Sequence, residues 1–238
     1  MIAIYLAPFY LLLNAYFLFR ILKWLETCHV HFKKKWIKVV LIMIYAFFVF
    51  SILTAFLLPQ GTIRRIMKLI SNYWLGVLMY LALTIMIADL IRLILIYLVK
   101  ADQEKFRTPK VFRLVGSICL ILILSTSLYG VYNARNIRTT SYHVTIHKKA
   151  GNHKKLKIVL LADLHLGYNI GCSQMKQMVT KVNKQNTDLI VIAGDIFDNE
   201  YDALDDPKQL IKIFRQLKSQ YGVYAFYGNH DIDEKILA

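Results

Sequence analysis

Four long apolar stretches dominate the first half of the chain. They cover residues 1–19, 39–58, 74–99 and 114–132. A helix of about 20 apolar residues crosses the hydrocarbon core of a bilayer, so each stretch predicts a transmembrane helix. The first stretch has no basic segment before it and no small-residue cleavage site after it, which favours a retained helix over a signal peptide.

The third stretch differs from the other three because it contains charged residues. Asp89 and Arg92 are three positions apart and therefore share one face of a helix. We expect them to form an ion pair near the helix end that orients the bundle. The alternative is a transport or sensing path, since ionisable residues inside membranes are often functional.

From residue 156 onward, short apolar runs alternate with amphipathic segments. Strands are predicted at residues 156–162, 189–193 and 223–227, and helices at residues 173–185 and after Asp206-Pro207. This βαβαβ order predicts a parallel sheet with right-handed crossovers.

The segment between these two patterns is predicted to be a connection with two parts. Residues 133–141 are polar and aperiodic, as in a linker, and residues 142–147 alternate as in a strand. The cation-rich residues 148–155 then predict a hairpin turn that is either solvated or close to anionic groups. The predicted organisation is a membrane region over residues 1–132, a linker and hairpin over 133–155, and an α/β domain over 156–238.

Each predicted strand is followed directly by residues that bind metal ions or phosphate in many proteins. They are Asp163-Leu164-His165, Gly194-Asp195-Ile196-Phe197-Asp198 and Gly228-Asn229-His230-Asp231. The carboxyl ends of parallel strands meet at one edge of a sheet, so we expect these side chains to converge. Carboxylate, imidazole and amide donors suit a pair of divalent cations that clamps a phosphoryl group.

The motifs DxH, GDxxD and GNHD, in this order and each closing a strand, resemble the calcineurin-like metallophosphoesterase family. The resemblance covers residues 156–231, roughly a third of the chain. It implies an αββα sandwich, of which this segment is the first βαβαβ half, and a metal-dependent phosphoesterase activity.

The resemblance also implies a set of metal ligands. Asp163 and His165 would bind the first ion, Asp195 would bridge both ions, and Asn229 would bind the second ion through its side-chain oxygen. Mn²⁺, Fe or Zn²⁺ suits such mixed donors better than Ca²⁺. The alternative is that these side chains merely cap loops.

The remaining motif residues are implied to act on the substrate or to support the ligands. His230 would contact the phosphate and protonate the leaving group, and Asp231 would orient His230. Asp198 would support the metal ligands from outside their shell. A purely structural role is the alternative for Asp198 and for Asp231.

The sequence departs from the family pattern after the third motif. Family members carry further histidines downstream, one single and one in a GHxH motif, whereas this sequence ends at Ala238. We therefore expect a truncated form of a longer protein, with a partly uncovered sheet and weak metal binding.

Composition and charge favour a membrane environment over a nucleic-acid partner. The chain is 57% hydrophobic and has a formal net charge of +15. Residues 1–135 hold 16 Lys/Arg and 4 Asp/Glu, whereas residues 136–238 hold 14 and 11. The excess therefore flanks the apolar stretches, and no nucleic-acid partner is expected. Three isolated cysteines indicate neither a disulfide scaffold nor a zinc ribbon: Cys28, Cys119 and Cys172.

The charges of the loops predict an orientation in the membrane. The first and third loops carry six and five Lys/Arg, against three in the second loop and two after the fourth stretch. Because cytoplasmic loops are richer in basic residues, the C-terminal domain is predicted to be extracytoplasmic, in a multi-pass protein of the cell membrane. A lipid or envelope-linked phosphate ester would then be within its reach.

Taken together, the sequence favours a membrane-anchored hydrolase that cleaves a phosphomonoester or phosphodiester with a hydroxide activated by two divalent metal ions. The alternative is a non-catalytic membrane protein whose phosphoesterase module is degenerate or truncated. The sequence does not specify an oligomeric state.

Overall fold

The computed structural model describes residues 2–148, 151, 155–198, 201–204 and 206–231. It separates into two compact units, Met1–Asn133 and Ala134–Ala238. The first unit is helical, and the second contains a small parallel sheet with helices. The fold class expected from the sequence, a helical region followed by an α/β domain, is confirmed.

Among the described residues, five α-helices and one short 3₁₀ helix form the helical segment. They are α1 (Ile2–Cys28), the 3₁₀ helix Val30–Lys33, α2 (Lys35–Leu57), α3 (Thr62–Tyr97), α4 (Gln103–Arg107) and α5 (Pro109–Arg135). Four of these, α1, α2, α3 and α5, are long and apolar enough to cross a membrane. Each of these four helices extends beyond its predicted apolar stretch at one end or at both ends.

An ion pair joins α1 to α3, and it corrects the sequence prediction. Both oxygens of Asp89 accept hydrogen bonds from the Arg20 guanidinium at 3.0–3.1 Å, and the Tyr16 hydroxyl donates to Asp89 Oδ2 at 2.9 Å. The predicted pairing of Asp89 with Arg92 is therefore wrong. The two-pronged geometry from a neighbouring helix satisfies both carboxylate oxygens, whereas spacing along one helix reveals only local partners.

A second polar cluster ties α1 to α2 and α3. Asn14 is only 2% exposed, and its side-chain oxygen accepts a hydrogen bond from the Tyr45 hydroxyl at 3.1 Å. The Tyr10 hydroxyl donates to the Val49 carbonyl at 3.0 Å and accepts from Trp74 Nε1 at 3.1 Å. Interhelical hydrogen bonds of this kind hold helices together where the surroundings are apolar, so α1 is an integral part of this unit.

The described part of the second unit is built on three parallel strands in the order β1-β2-β3. Its elements are β1 (Ile158–Leu161), α6 (Cys172–Asn183), β2 (Leu189–Ala193), the 3₁₀ helix Tyr201–Ala203, α7 (Pro207–Phe214) and β3 (Val223–Phe226). Ile190 and Ile192 point to one face of the sheet and are buried together with Met178 of α6 and Ile213 of α7. The core of this unit therefore lies between the sheet and its two helices.

The opposite face of the sheet is apolar and exposed. Side chains alternate along a strand, so the neighbours of the buried residues point away from α6 and α7. Ile158 and Leu160 of β1 and Tyr224 and Phe226 of β3 are all exposed on this face.

The segment before β1 differs from its prediction. Residues 142–147, predicted as a strand, have no strand structure, and Tyr142, Val144 and Ile146 are exposed. Alternation alone does not make a strand, because a strand also needs a partner for its backbone groups. Within the described part of the chain, this segment pairs with no strand of the sheet. The predicted hairpin turn lies mostly outside the described residues.

Replacing Asp89 tests the ion pair between α1 and α3. We expect Asp89→Ala to lower the free energy of unfolding by about 2 kcal/mol, because Arg20 loses its only carboxylate partner among the described residues. The matched change Arg92→Ala, at an exposed position of α3, should cost less than about 0.5 kcal/mol. Unfolding of the purified chain in mixed detergent–SDS micelles measures both, and equal effects would contradict the assignment.

Candidate metal centre

The chain segments that follow β1 and β2 continue side by side beyond the strands. The backbone amide of Asp163 donates to the Gly194 carbonyl at 3.3 Å, and the amide of His165 donates to the Asp195 carbonyl at 3.0 Å. Leu166 then pairs with the segment after β2 in a bridge opposite Phe197. The DxH and GDxxD motifs are thus held in register by backbone hydrogen bonds.

The backbone of these motifs is locally strained. Asp163, His165 and Asp195 have φ angles of 52°, 43° and 48°, in the left-handed region that non-glycine residues seldom adopt. Such conformations cost on the order of 1–2 kcal/mol each and persist where the surrounding structure enforces them. Three of them among the predicted metal ligands favour a functional site over ordinary loops.

Two glycines allow the ends of β2 and β3 to touch. A Cβ atom on Gly194 would lie 2.7 Å from the Cα of Gly228, and a Cβ atom on Gly228 would lie 2.1 Å from Asp195 Oδ1. Neither position has room for a side chain. This contact brings the GNHD motif against the GDxxD motif, and the His230 amide donates to Asp195 Oδ1 at 3.0 Å.

The side chains of the motifs form two groups that share His165. Asp163, His165 and Asp195 each offer one ligand atom, and these atoms lie within 4.8 Å of one another. His165, Asp198 and His230 form the second group, in which one ligand atom from each residue also lies within 4.8 Å of the other two. Carboxylate oxygens and imidazole nitrogens at this spacing match the donors that Mn²⁺, Fe and Zn²⁺ prefer, so the residues present fit divalent metal ions.

The third motif supplies two further residues with different surroundings. The Asn229 side chain is exposed, and its role as a ligand stays a prediction. The His230 ring stands nearly perpendicular to the His165 ring, with 5.1 Å between the ring centroids. His230 therefore lies beside the shared histidine of both groups.

Asp231 is bound by the backbone of the loops. It is 2% exposed, and its two oxygens accept hydrogen bonds from the amides of Phe197 at 3.0 Å and Gly228 at 2.9 Å. Burial raises the pKa of the Asp231 carboxyl, but the amides of Gly228, Phe197, Ile196 and Asp195 outweigh this and hold the pKa below its usual range. Asp231 thus fastens the second and third motifs to each other as an ionised carboxylate.

The surroundings of the two acidic residues suggest different roles from those inferred from sequence. The Asp231 oxygens are occupied by backbone amides, whereas a carboxylate oxygen of Asp198 lies within 4.8 Å of ring nitrogens of His165 and His230. The assignment of Asp231 as the residue that orients His230 stays a prediction. Sequence reasoning did not anticipate this place for Asp198, although the spacing of GDxxD was the available signal.

The strand-end motifs thus lie together at the carboxyl edge of the parallel sheet, around His165. Residues 156–237 match the family model described as calcineurin-like phosphoesterase. This part of the chain therefore matches a calcineurin-like phosphoesterase domain, and the resemblance recognised from DxH, GDxxD and GNHD is confirmed.

Curated relatives resemble the chain over different lengths. An uncharacterized metallophosphoesterase of Campylobacter jejuni is 30% identical over 226 residues, covering 90% of this chain and 58% of the relative. A transmembrane protein with metallophosphoesterase domain from Danio rerio is 31% identical over 115 residues, covering 48% of this chain and 26% of the relative. The uncharacterized metallophosphoesterase YkuE of Bacillus subtilis is 36% identical over 75 residues, covering 32% of this chain and 26% of the relative. The chain thus spans a quarter to somewhat over half of these relatives' lengths. No solved structure matches it.

Adding a methyl group at Gly228 tests the contact between the motifs. We expect Gly228→Ala to weaken Mn²⁺ binding about 10- to 100-fold, because the new Cβ would push the third motif away from Asp195. The control Gly76→Ala has no atom within 4 Å of the added carbon and should bind as the parent chain does. Calorimetric titration of the full chain measures the affinity, and parent-like binding by Gly228→Ala would refute the packing argument.

Proposed function

We propose that this chain is a membrane-anchored, metal-dependent phosphoesterase that hydrolyses a phosphomonoester or a phosphodiester. The observation that supports this most directly is the group of Asp163, His165 and Asp195, whose ligand atoms lie within 4.8 Å of one another at the carboxyl edge of the sheet. Family membership of residues 156–237 supports the same reaction class.

Two sets of residues would hold the metal ions in this proposal. Asp163, His165 and Asp195 would hold one ion, and Asp195 and Asn229 would contribute to the other. Bound divalent ions at such a site supply positive charge that lowers the pKa of water and offsets the charge on a phosphoryl group. The backbone hydrogen bonds between the motifs keep the donors in place before any ligand arrives.

The residues of the chain itself would position the substrate and move a proton. His230 would donate a hydrogen bond to a phosphoryl oxygen and then give its ring proton to the leaving oxygen. Asp198, close to the His230 ring, would hold that ring in the required orientation. Asp231 would act indirectly, because it fixes the backbone from which His230 and Asp195 project.

The helical unit would anchor the hydrolase in the membrane. Four of its helices have the length and apolarity of transmembrane spans, and curated relatives are named as transmembrane proteins with a metallophosphoesterase domain. The distribution of basic residues favours the cell membrane with the second unit on the extracytoplasmic side. A lipid or envelope-linked phosphate ester is the substrate class consistent with that location.

Hydrolysis of a chromogenic ester tests the proposed reaction. We expect the full chain, with added Mn²⁺, to cleave p-nitrophenyl phosphate or bis-p-nitrophenyl phosphate, and Asp195→Asn to lose at least about 100-fold in rate through loss of a shared ligand. Asp188→Asn is a matched control, because its oxygen can still accept the hydrogen bond from the Lys157 amide.

Metal analysis of the same samples completes this test. Two tightly held ions per chain together with metal-dependent hydrolysis would support the proposal. An unchanged rate in Asp195→Asn would refute the assigned ligand. If the full chain neither retains metal nor cleaves either ester, the non-catalytic module is the better description.

Leaving groups of different acidity distinguish the roles of Asp198 and Asp231. A phenolate leaves less readily than p-nitrophenolate and depends more on a proton from His230. We therefore expect Asp198→Asn to slow phenyl phosphate hydrolysis about tenfold more than p-nitrophenyl phosphate hydrolysis. Asp231→Asn should slow both esters alike and lower the unfolding free energy by about 1–3 kcal/mol, because an amide cannot accept both backbone hydrogen bonds. The opposite pattern would restore Asp231 as the orienting residue.

A further inference from the structure

One end of the helical unit gathers most of its basic residues. Lys38 Nζ lies 2.5 Å from Glu26 Oε1, which joins the end of α1 to the start of α2. Trp24 Nε1 donates to the Arg113 carbonyl at 3.2 Å, which joins the end of α1 to the start of α5. The connection from α3 to α5 closes the same end. We call residues 23–38 and 100–113 the basic end.

The charge of the basic end is strongly unbalanced. Its two segments contain ten Lys/Arg and three Asp/Glu, a net charge of +7. One of the three acids, Glu26, already pairs with Lys38, and another, Asp102, accepts a hydrogen bond from the Glu104 amide. Residues 58–68 at the opposite turn, between α2 and α3, carry three basic residues and no acidic one, a net charge of +3. The basic end is therefore an electrostatic attractor for anions.

A lysine triplet forms the most concentrated part of this end. Lys33, Lys34 and Lys35 are all exposed, and among the described residues no carboxylate pairs with them. Lys34 is also the N-cap of α2, and no described side chain caps the amides of that helix end. The positive end of the helix dipole thus adds to the charge of three lysines.

The surroundings of the lysine triplet match the headgroup layer of a bilayer. Val30 and Trp36 flank it and are 68% and 65% exposed. An exposed indole beside lysines at the start of a candidate span is the arrangement found at membrane–water interfaces, where the ring enters the headgroup level and the ammonium groups meet phosphates. A free phosphate ion would gain nothing from the exposed apolar side chains.

We propose that the basic end, centred on the lysine triplet, binds the phosphate-bearing headgroups of anionic lipids. Each lysine near an anionic surface strengthens binding by roughly fivefold, and this attraction falls off within about 8 Å in physiological salt. The surface is independent of the proposed phosphoesterase site and would recognise lipid whether or not the chain hydrolyses an ester.

Quenching of tryptophan fluorescence by brominated lipids tests this surface. The full chain is reconstituted in bilayers of phosphatidylcholine and phosphatidylglycerol, with bromine on one lipid or on the other. Trp24 and Trp36 report from the basic end. We expect phosphatidylglycerol to quench more strongly than its share of the bilayer predicts, and added salt to weaken this preference.

A triple variant and its charge-matched control give the decisive comparison. Lys33→Gln, Lys34→Gln and Lys35→Gln together should lower the preference for phosphatidylglycerol about tenfold or more. The control replaces three exposed lysines of the second unit, Lys176, Lys184 and Lys208, by Gln and should retain the preference. Equal loss in both variants, or a preference unaffected by salt, would overturn the proposal.

Soluble competitors separate the possible sources of the anion. Glycerol phosphate and a short oligodeoxynucleotide are added in turn to the parent chain in the mixed bilayer. Neither should remove the preference for phosphatidylglycerol. Displacement by glycerol phosphate would assign the surface to free phosphate, displacement by the oligonucleotide would assign it to nucleic acid, and either result would overturn the lipid assignment.

Discussion

The close approach of two strand ends is the constraint on which the metal centre depends. Gly194 and Gly228 touch backbone to backbone, and this contact leaves no room for a side chain on either residue. Because β2 lies between β1 and β3, the same contact sets the position of the third motif relative to both others. Ligands for metal and substrate are placed precisely only by a rigid supporting structure. Here the two glycines, which lack Cβ atoms, allow the strand ends to pack closely enough to provide it.

Asp231 makes this approach energetically favourable. A carboxylate that is 2% exposed would be costly if it lacked partners, but its oxygens accept hydrogen bonds from the amides of Phe197 and Gly228. Its lowered pKa means that the ionised form is bound more tightly in the folded state than in the unfolded state. The stabilisation is therefore present above the unfolded-state pKa and is lost as the pH falls through the folded-state value. One buried charge thus fastens two motifs that backbone ladders alone do not connect.

The sequence predicted those features that depend on local pattern. Apolar length identified the four long helices, and strand-length apolar runs alternating with amphipathic segments identified the βαβαβ unit with its motifs at the strand ends. The pairing of Arg20 with Asp89 was missed because its partners are 69 residues apart, and only the packing of α1 on α3 brings them together. The prediction of a strand at residues 142–147 was wrong for a related reason. Alternation shows which side chains could share a face, but it does not show whether a partner strand exists. Left-handed backbone at Asp163 and His165 was not predicted, because residue type alone does not specify it.

The charge of the site explains why a cation is its natural complement. The three motifs together contain four aspartates and no lysine or arginine. Asp231 is compensated by backbone amides, which leaves Asp163, Asp195 and Asp198 around two imidazoles. Carboxylates this close repel each other unless positive charge lies between them. Divalent ions would remove this repulsion, and their binding would offset the conformational cost of the strained backbone that presents the ligands. Metal binding and the order of these loops are therefore expected to be coupled, with the glycine contact and the Asp231 carboxylate supplying the part of the order that needs no metal.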